Sequence, residues 1–335
     1  MGDYGLNKRV YLYRDSFSVQ KLRNGKAQHQ IDPCLSLMKG FEKFGYRAEL
    51  LDFVHAKKTA PDIGIMFNFW SKNKPGLSKQ FISEWHIKNN IPLICMDAGV
   101  FTSHMSMVKP GSHKRVGWLF HRFGLNSPLG TGEYFNDDSD NKQFELYQSL
   151  FPSLQIEPWR QGSKVLVLAQ NPIGFQFQDK LTYHQWINKT VVKVLQNTDR
   201  PVEVRMHPNS KLSGMKGDRK IVSIDPHKRV TISGLQGRKN LFENLDDVHC
   251  CITHSSSAAV DTIMAGIPTF VLSDRCITTA GKIKVWEDDL SNIENITYSE
   301  DRYQWACNLA YTSYTHKQLA GESVAEKFLR GLNML

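Results

Sequence analysis

Three sets of residues in this 335-residue chain could do chemistry together: an acid, Asp97, a histidine, His207, and the serine run Ser255-Ser256-Ser257. Asp97 follows the apolar run Leu93-Ile94-Cys95-Met96 and precedes Ala98-Gly99. A carboxylate at the end of a buried strand is a natural general base for a hydroxyl nucleophile. His207 is followed by Pro208, which disfavours helix at the histidine and presents the imidazole at a rigid turn. There it can donate a hydrogen bond to phosphate or, as imidazolium, add charge. The serines lie between the apolar run Val248–Ile252 and a helical stretch that stops at Gly266. Serine at a helix start caps free backbone N–H groups, and those groups with the helix dipole also favour an anion. Three hydroxyls exceed what capping needs, so the surplus points to a phosphorylated ligand. Asp261, one turn into that helix, could accept hydrogen bonds from ribose hydroxyls.

The elements that must position these residues alternate in type. Arg9–Arg14, Arg47–Phe53, Asp62–Trp70 and Pro92–Met96 read as strands, with helices expected over Asp32–Phe44 and Ser78–Asn89. A second series follows, with strands at Lys164–Ala169, Val202–Met206, Val230–Ser233 and Val248–Ile252 and a helix over Tyr183–Leu195. Near-continuous apolar strands separated by helices indicate parallel sheets covered on both faces. The expected fold class is α/β, with two Rossmann-like parallel-sheet domains facing a cleft. Residues 1–155 form the first domain and 164–300 the second, with Pro152–Ser163 as linker. Residues 301–335 make a largely helical tail that could cross back to the first domain. Asp97, His207 and the serines all fall at carboxyl ends of strands, where ligands bind in such folds.

Composition narrows the class. Hydrophobic residues make up 41% and charged residues 22%, values of a globular domain rather than a disordered or fibrous chain. No apolar run approaches the roughly 20 residues of a membrane span, and the first residues carry no secretory signal, so a cytoplasmic location is expected. Six cysteines without metal-ligand spacing read as buried thiols. No metal site is expected, because Asp138-Ser139-Asp140 has no strand before it.

The net charge of +9 is concentrated toward the first half, where residues 1–160 carry 21 Lys/Arg against 15 Asp/Glu. Arg14, Lys21, Arg23 and Lys26 follow the first strand, and Lys109, Lys114, Arg115 and Arg122 are interleaved with Trp118, Phe120 and Phe123. Cations with aromatics between them suit a surface that tracks a phosphate backbone and stacks bases. DNA is therefore an expected partner.

The order of a strand-end acid with glycine, then His207-Pro208, then Ser255–Ser257 running into a helix and Gly266-Ile267-Pro268, resembles the two-domain glycosyltransferases of the GT-B type. Within them it resembles the capsule-polysaccharide synthesis enzymes and the sialyl- and Kdo-transferases with HP and serine motifs. The resemblance spans roughly residues 164–275, and Met96-Asp97-Ala98-Gly99 has one acid where those families place two. It implies that Asp97 is the base, that His207 contacts the nucleotide phosphate, and that Ser255, Ser256 and Ser257 bind the donor phosphate. It also implies that the loop beginning Gln170-Asn171 lies under the donor. The co-substrate would be a UDP- or CMP-linked sugar, with no further cofactor.

Joined to the basic first half, these motifs lead to an expectation of sugar transfer to hydroxymethylated pyrimidines in DNA, resembling in role the bacteriophage DNA glycosyltransferases. The alternative is a capsule or surface polysaccharide acceptor. A third possibility is a non-catalytic nucleotide- or nucleic-acid-binding protein on the same scaffold.

Overall fold

The computed structural model describes residues 8–17, 28–69, 77–101, 119–170, 177, 181–207, 227–234, 241 and 245–335. Two sheets organise the chain. The first contains β1 (Arg9–Tyr13), β2 (Arg47–Leu51), β3 (Ile63–Phe67), β4 (Leu93–Ala98), β5 (Phe120–Leu125) and β11 (Ser313–Thr315), in the order β11-β5-β4-β3-β1-β2. The second contains β6 (Lys164–Leu168), β7 (Val202–Arg205), β8 (Val230–Ser233), β9 (Val248–Thr253) and β10 (Thr269–Val271), in the order β10-β9-β6-β7-β8. Every pairing in the second sheet is parallel. The first is parallel from β2 to β4, but β5 pairs antiparallel with both β4 and β11.

The strands form where the apolar runs are longest. All five residues of β3 and all six of β9 are buried, as expected for strands covered on both faces. In the first half, helix α1 (Gln28–Glu42) covers one face, while α2 (Phe53–Ala56) and α3 (Leu77–Lys88) lie on the other side, where Phe53 meets Trp85. Helix α4 (Lys142–Leu150) follows β5, and α5 (Tyr183–Asn197) covers the second sheet. Thr182 starts α5 with a reciprocal cap, its hydroxyl accepting the Gln185 N–H while the Gln185 side chain accepts the Thr182 N–H. Helix α6 (Ala258–Met264) connects β9 to β10.

The chain then returns. Helix α7 (Arg302–Ala310) packs beside α4, β11 joins the edge of the first sheet, and α8 (His316–Leu319) and α9 (Glu322–Gly331) pack on α1. The two halves also share one apolar core. Phe101, Phe120, Tyr147 and Phe151 from the first half are packed with Val260, Ile263, Ile277 and Trp305 from the remainder of the chain.

The connecting segment is pinned rather than loose. Glu157 N–H donates to Met264 O, and Arg160 N–H to Gly266 O. Gly266 ends α6 at φ +73°, and a β-carbon there would collide with Pro158 O. Only glycine takes that backbone conformation without strain. Arg302 lies 3.7 Å above the Trp159 ring and donates to Glu157 O and Ile263 O, tying the segment to α6 and α7.

Candidate functional site

Sheet register places the second-half residues on one level. Leu168 of β6 is abreast of Thr253 in β9 and Arg205 in β7, and Thr253 is abreast of Val271 in β10. Two residues beyond this row stand Gln170, Ser255, His207 and Ser273. Four neighbouring loops therefore leave the sheet together at its carboxyl edge, where parallel sheets bind ligands.

The three serines have different surroundings. Ser255 is buried, and its N–H and hydroxyl both donate to Gln170 Oε1, at 2.9 and 3.2 Å. Its hydroxyl oxygen also lies 3.1 Å from His254 Nδ1. A hydroxyl has one proton, so with that proton on Gln170, His254 Nδ1 is the donor to Ser255. His254 is itself buried between Phe177 and Trp186, and sequence reasoning missed it because a histidine after a strand carries no pattern of its own. Ser256 is half-buried: its N–H donates to Thr253 Oγ1, and its hydroxyl oxygen accepts the Ala258 N–H. Ser257 is exposed and makes no side-chain cap. The cap expected of the run is thus made by Ser256, leaving the Ser257 hydroxyl at the surface.

Two bonds to Oε1 orient the Gln170 amide, so its nitrogen points elsewhere. Gln170 is buried, and Nε2 has no partner among the described residues. Such an orphan donor suits an oxygen-rich ligand, since a buried unpaired amide is costly. His207 is half-buried, and burial lowers its pKa below the ordinary histidine value. Burial therefore favours a neutral hydrogen-bonding imidazole over the imidazolium. Asp261 is 3% exposed, an interior residue of α6 rather than a solvent-facing one. Asn171 lies outside the described residues.

In the first half, Asp97 is the penultimate residue of β4 and lies opposite Arg122 of β5. Arg122 Nη2 donates to Asp97 Oδ2 at 2.6 Å, with the two side chains 5% and 15% exposed. Asn68, following β3, continues the row, and its N–H donates to Met96 O. The two halves come close beside this pair. Burial pushes the Cys276 thiol up, and Arg122 is near enough for its charge to oppose that shift. Cys276 Sγ in turn donates to Ser256 O at 3.4 Å. Gly130 seals the same seam, its N–H donating to Arg275 O, with Thr279 and Cys276 leaving no room for a β-carbon. Arg122 and Cys276 thus link the surroundings of Asp97 to the serine loop.

No family profile and no curated protein sequence matches the chain. Among solved structures it is similar to the beta Kdo 2,4 transferase KpsC of Thermosulfurimonas dismutans, with a TM-score of 0.52 and 13% identity over 91% of each chain. The fold is GT-B. The KpsC beta Kdo 2,7 transferase of the same organism aligns over 96% of this chain and 100% of its own, at TM-score 0.49 and 13% identity. The UDP-GlcNAc 2-epimerase of Methanocaldococcus jannaschii, in complex with UDP-GlcNAc and UDP, aligns over 97% and 99% at TM-score 0.33 and 11% identity.

Of the basic-aromatic surface expected around residues 109–123, the places of Arg122, Phe120 and Phe123 are corrected. Arg122 is not a solvent-facing cation, because it is buried against Asp97. Phe120 and Phe123 are not stacking platforms, because both belong to cores on opposite sides of β5. Arg14 is exposed and 3.7 Å from Asp52. Lys21, Arg23, Lys26, Lys109, Lys114, Arg115 and Trp118 lie outside the described residues. Nothing in the comparisons supports a DNA acceptor or a bacteriophage relationship. Asp140, the second acid of Asp138-Ser139-Asp140, accepts from the Lys142 N–H and the Tyr311 hydroxyl. All six cysteines are buried free thiols. Among the described residues, no helix is long and apolar enough to cross a membrane.

Proposed function

We propose that this protein is a glycosyltransferase that moves a sugar from a nucleotide-sugar to a hydroxyl of a saccharide acceptor. The observation that carries this reading is the single level shared by Gln170, Ser255 and His207, with Gln170 Nε2 left as a buried donor. Hydrogen-bond donors gathered at one sheet edge suit a leaving nucleotide phosphate, whose negative charge grows as the glycosidic bond breaks. His207, Ser256, Ser257 and Gln170 Nε2 would contact that phosphate, while Ser255 and Gln170 Oε1 hold the loop in place. Asp97 would take the proton from the acceptor hydroxyl as its oxygen attacks the anomeric carbon. The first half would hold the acceptor and the second the donor.

The saccharide acceptor, which began as the alternative, is preferred for two reasons. Arg122, assigned from sequence to DNA binding, is internal. The structure matched at TM-score 0.52 is a beta Kdo 2,4 transferase. The test is incubation with a panel of UDP- and CMP-sugars and two acceptors, an oligosaccharide series and hydroxymethylated DNA, followed by mass spectrometry. A sugar-sized mass gain on a saccharide is expected. Gain on DNA alone would reverse the acceptor assignment, and no gain or donor hydrolysis with any pair would sink the transferase reading.

A further inference from the structure

Taking Asp97 as the acceptor base, we infer that Arg122 is the residue that positions it. A guanidinium is a rigid planar fork, and a bond from it fixes the direction of a carboxylate as well as its charge. Nη2 of Arg122 takes Asp97 Oδ2 at 2.6 Å, and the antiparallel register of β4 and β5 places the two residues directly opposite. In the transfer step the acceptor O–H proton passes to Asp97 Oδ1. The acceptor oxygen forms its bond to the anomeric carbon, and the anomeric C–O bond breaks with its electron pair leaving on the nucleotide phosphate. Oδ2 keeps its bond to Arg122 throughout, so the carboxylate does not turn as it gains the proton.

Two further observations support this role beyond that of a simple core ion pair. Arg122 Nε is buried with no partner among the described residues, so the guanidinium is held without its full set of bonds. Replacing a buried ion pair by apolar side chains is often neutral or stabilising, so burial of this pair is weak evidence of a purely stabilising role. Arg122 also stands at the seam between the halves, within electrostatic reach of Cys276, whose thiol holds the Ser256 carbonyl. One side chain thus sets the acceptor base and borders the donor loop.

The test compares Arg122→Gln, Arg122→Lys, Asp97→Asn and the double variant Asp97→Asn/Arg122→Gln, using the donor and acceptor on which the wild type is active. Arg122→Gln is expected to lower kcat by about 10²-fold, the scale of lost orientation, with the donor KM changed less than about threefold. Arg122→Lys keeps the charge without the fork and should recover about a tenth to a third of the wild-type kcat. The double variant should be no slower than Asp97→Asn, because residues acting as a unit are not additive. Circular dichroism and thermal melts identify folded variants, and the double variant, which buries no unpaired charge, keeps the comparison available if Arg122→Gln does not fold. Wild-type-like kcat in folded Arg122→Gln, a change confined to KM, or additive losses in the double variant would overturn the positioning role while leaving the transferase reading intact. Absence of turnover in the wild type with every pair would overturn both.

Discussion

Gln170 and Ser255 meet across the neighbouring loops of β6 and β9, one amide oxygen accepting both the backbone N–H and the hydroxyl of the serine. This clamp sets the path of the serine loop before any ligand arrives. It also leaves Gln170 Nε2 without a partner among the described residues, free to donate to a ligand.

Gln170→Ala would leave the buried Ser255 N–H without its acceptor. The expected loss is about 1–3 kcal/mol of folding stability, read from urea denaturation with an unchanged m-value. Stability equal to wild type would mean the loop does not depend on the clamp.

The pair Asp97 and Arg122 gives a stability test independent of catalysis. Asp97→Leu leaves a buried, uncompensated guanidinium and should cost about 3–5 kcal/mol. Replacing both residues by leucine should cost clearly less, because no charge is stranded. A double-mutant cycle on chemical denaturation measures the difference; equal costs for the single and double variants would contradict the pairing.

His86 makes stability depend on pH. Its Nδ1–H donates to Ile91 O at 3.0 Å, and its Nε2 therefore accepts from the Tyr13 hydroxyl at 2.7 Å. Burial lowers its pKa from 6.5 to about 4, so the folded protein keeps it neutral while the unfolded chain takes up a proton. Between those values the unfolded state binds more protons, and stability must rise with pH. Acidifying from pH 7 to 4 should therefore remove about 3 kcal/mol through this residue, at 1.36 kcal/mol per unit. Denaturation of His86→Gln across the same range should show a flatter profile.

Gly266→Ala must force both a left-handed backbone onto a β-carbon and that carbon into Pro158 O. The expected cost is about 1–3 kcal/mol, with faster hydrogen exchange at the Arg160 amide, which donates to Gly266 O. Unchanged exchange there would show that the connecting segment is not held by this turn.

The parts of the fold legible in the sequence are those in which burial is local. The runs at Ile63–Phe67, Lys164–Leu168 and Val248–Thr253 are apolar enough to read as covered strands from composition alone. The carboxyl ends of the strands Leu93–Ala98, Val202–Arg205 and Val248–Thr253 carry Asp97, His207 and the serines, as the sequence pattern alone had them. Strand β5 was illegible because its Arg122 looks like a surface cation until Asp97, 25 positions earlier, is known to neutralise it. Strand β11 has three residues, too few to show a period of two. Ser255 is held by Gln170, 85 residues earlier in the chain, whereas the Ser256 hydroxyl is taken by the nearby Ala258 N–H. Residue type announces the loop, whereas the folded contacts, distant for Ser255 and local for Ser256, decide which hydroxyl faces outward.

The return of Ser313–Thr315 to the edge of the first sheet has a consequence for biosynthesis. A ribosome makes β1 to β5 early, yet β5 gains its second neighbour only after every strand of the second sheet has been translated. Until then the nascent first half presents an open strand edge, a template for pairing with other chains. Translation order and completion order thus run against each other.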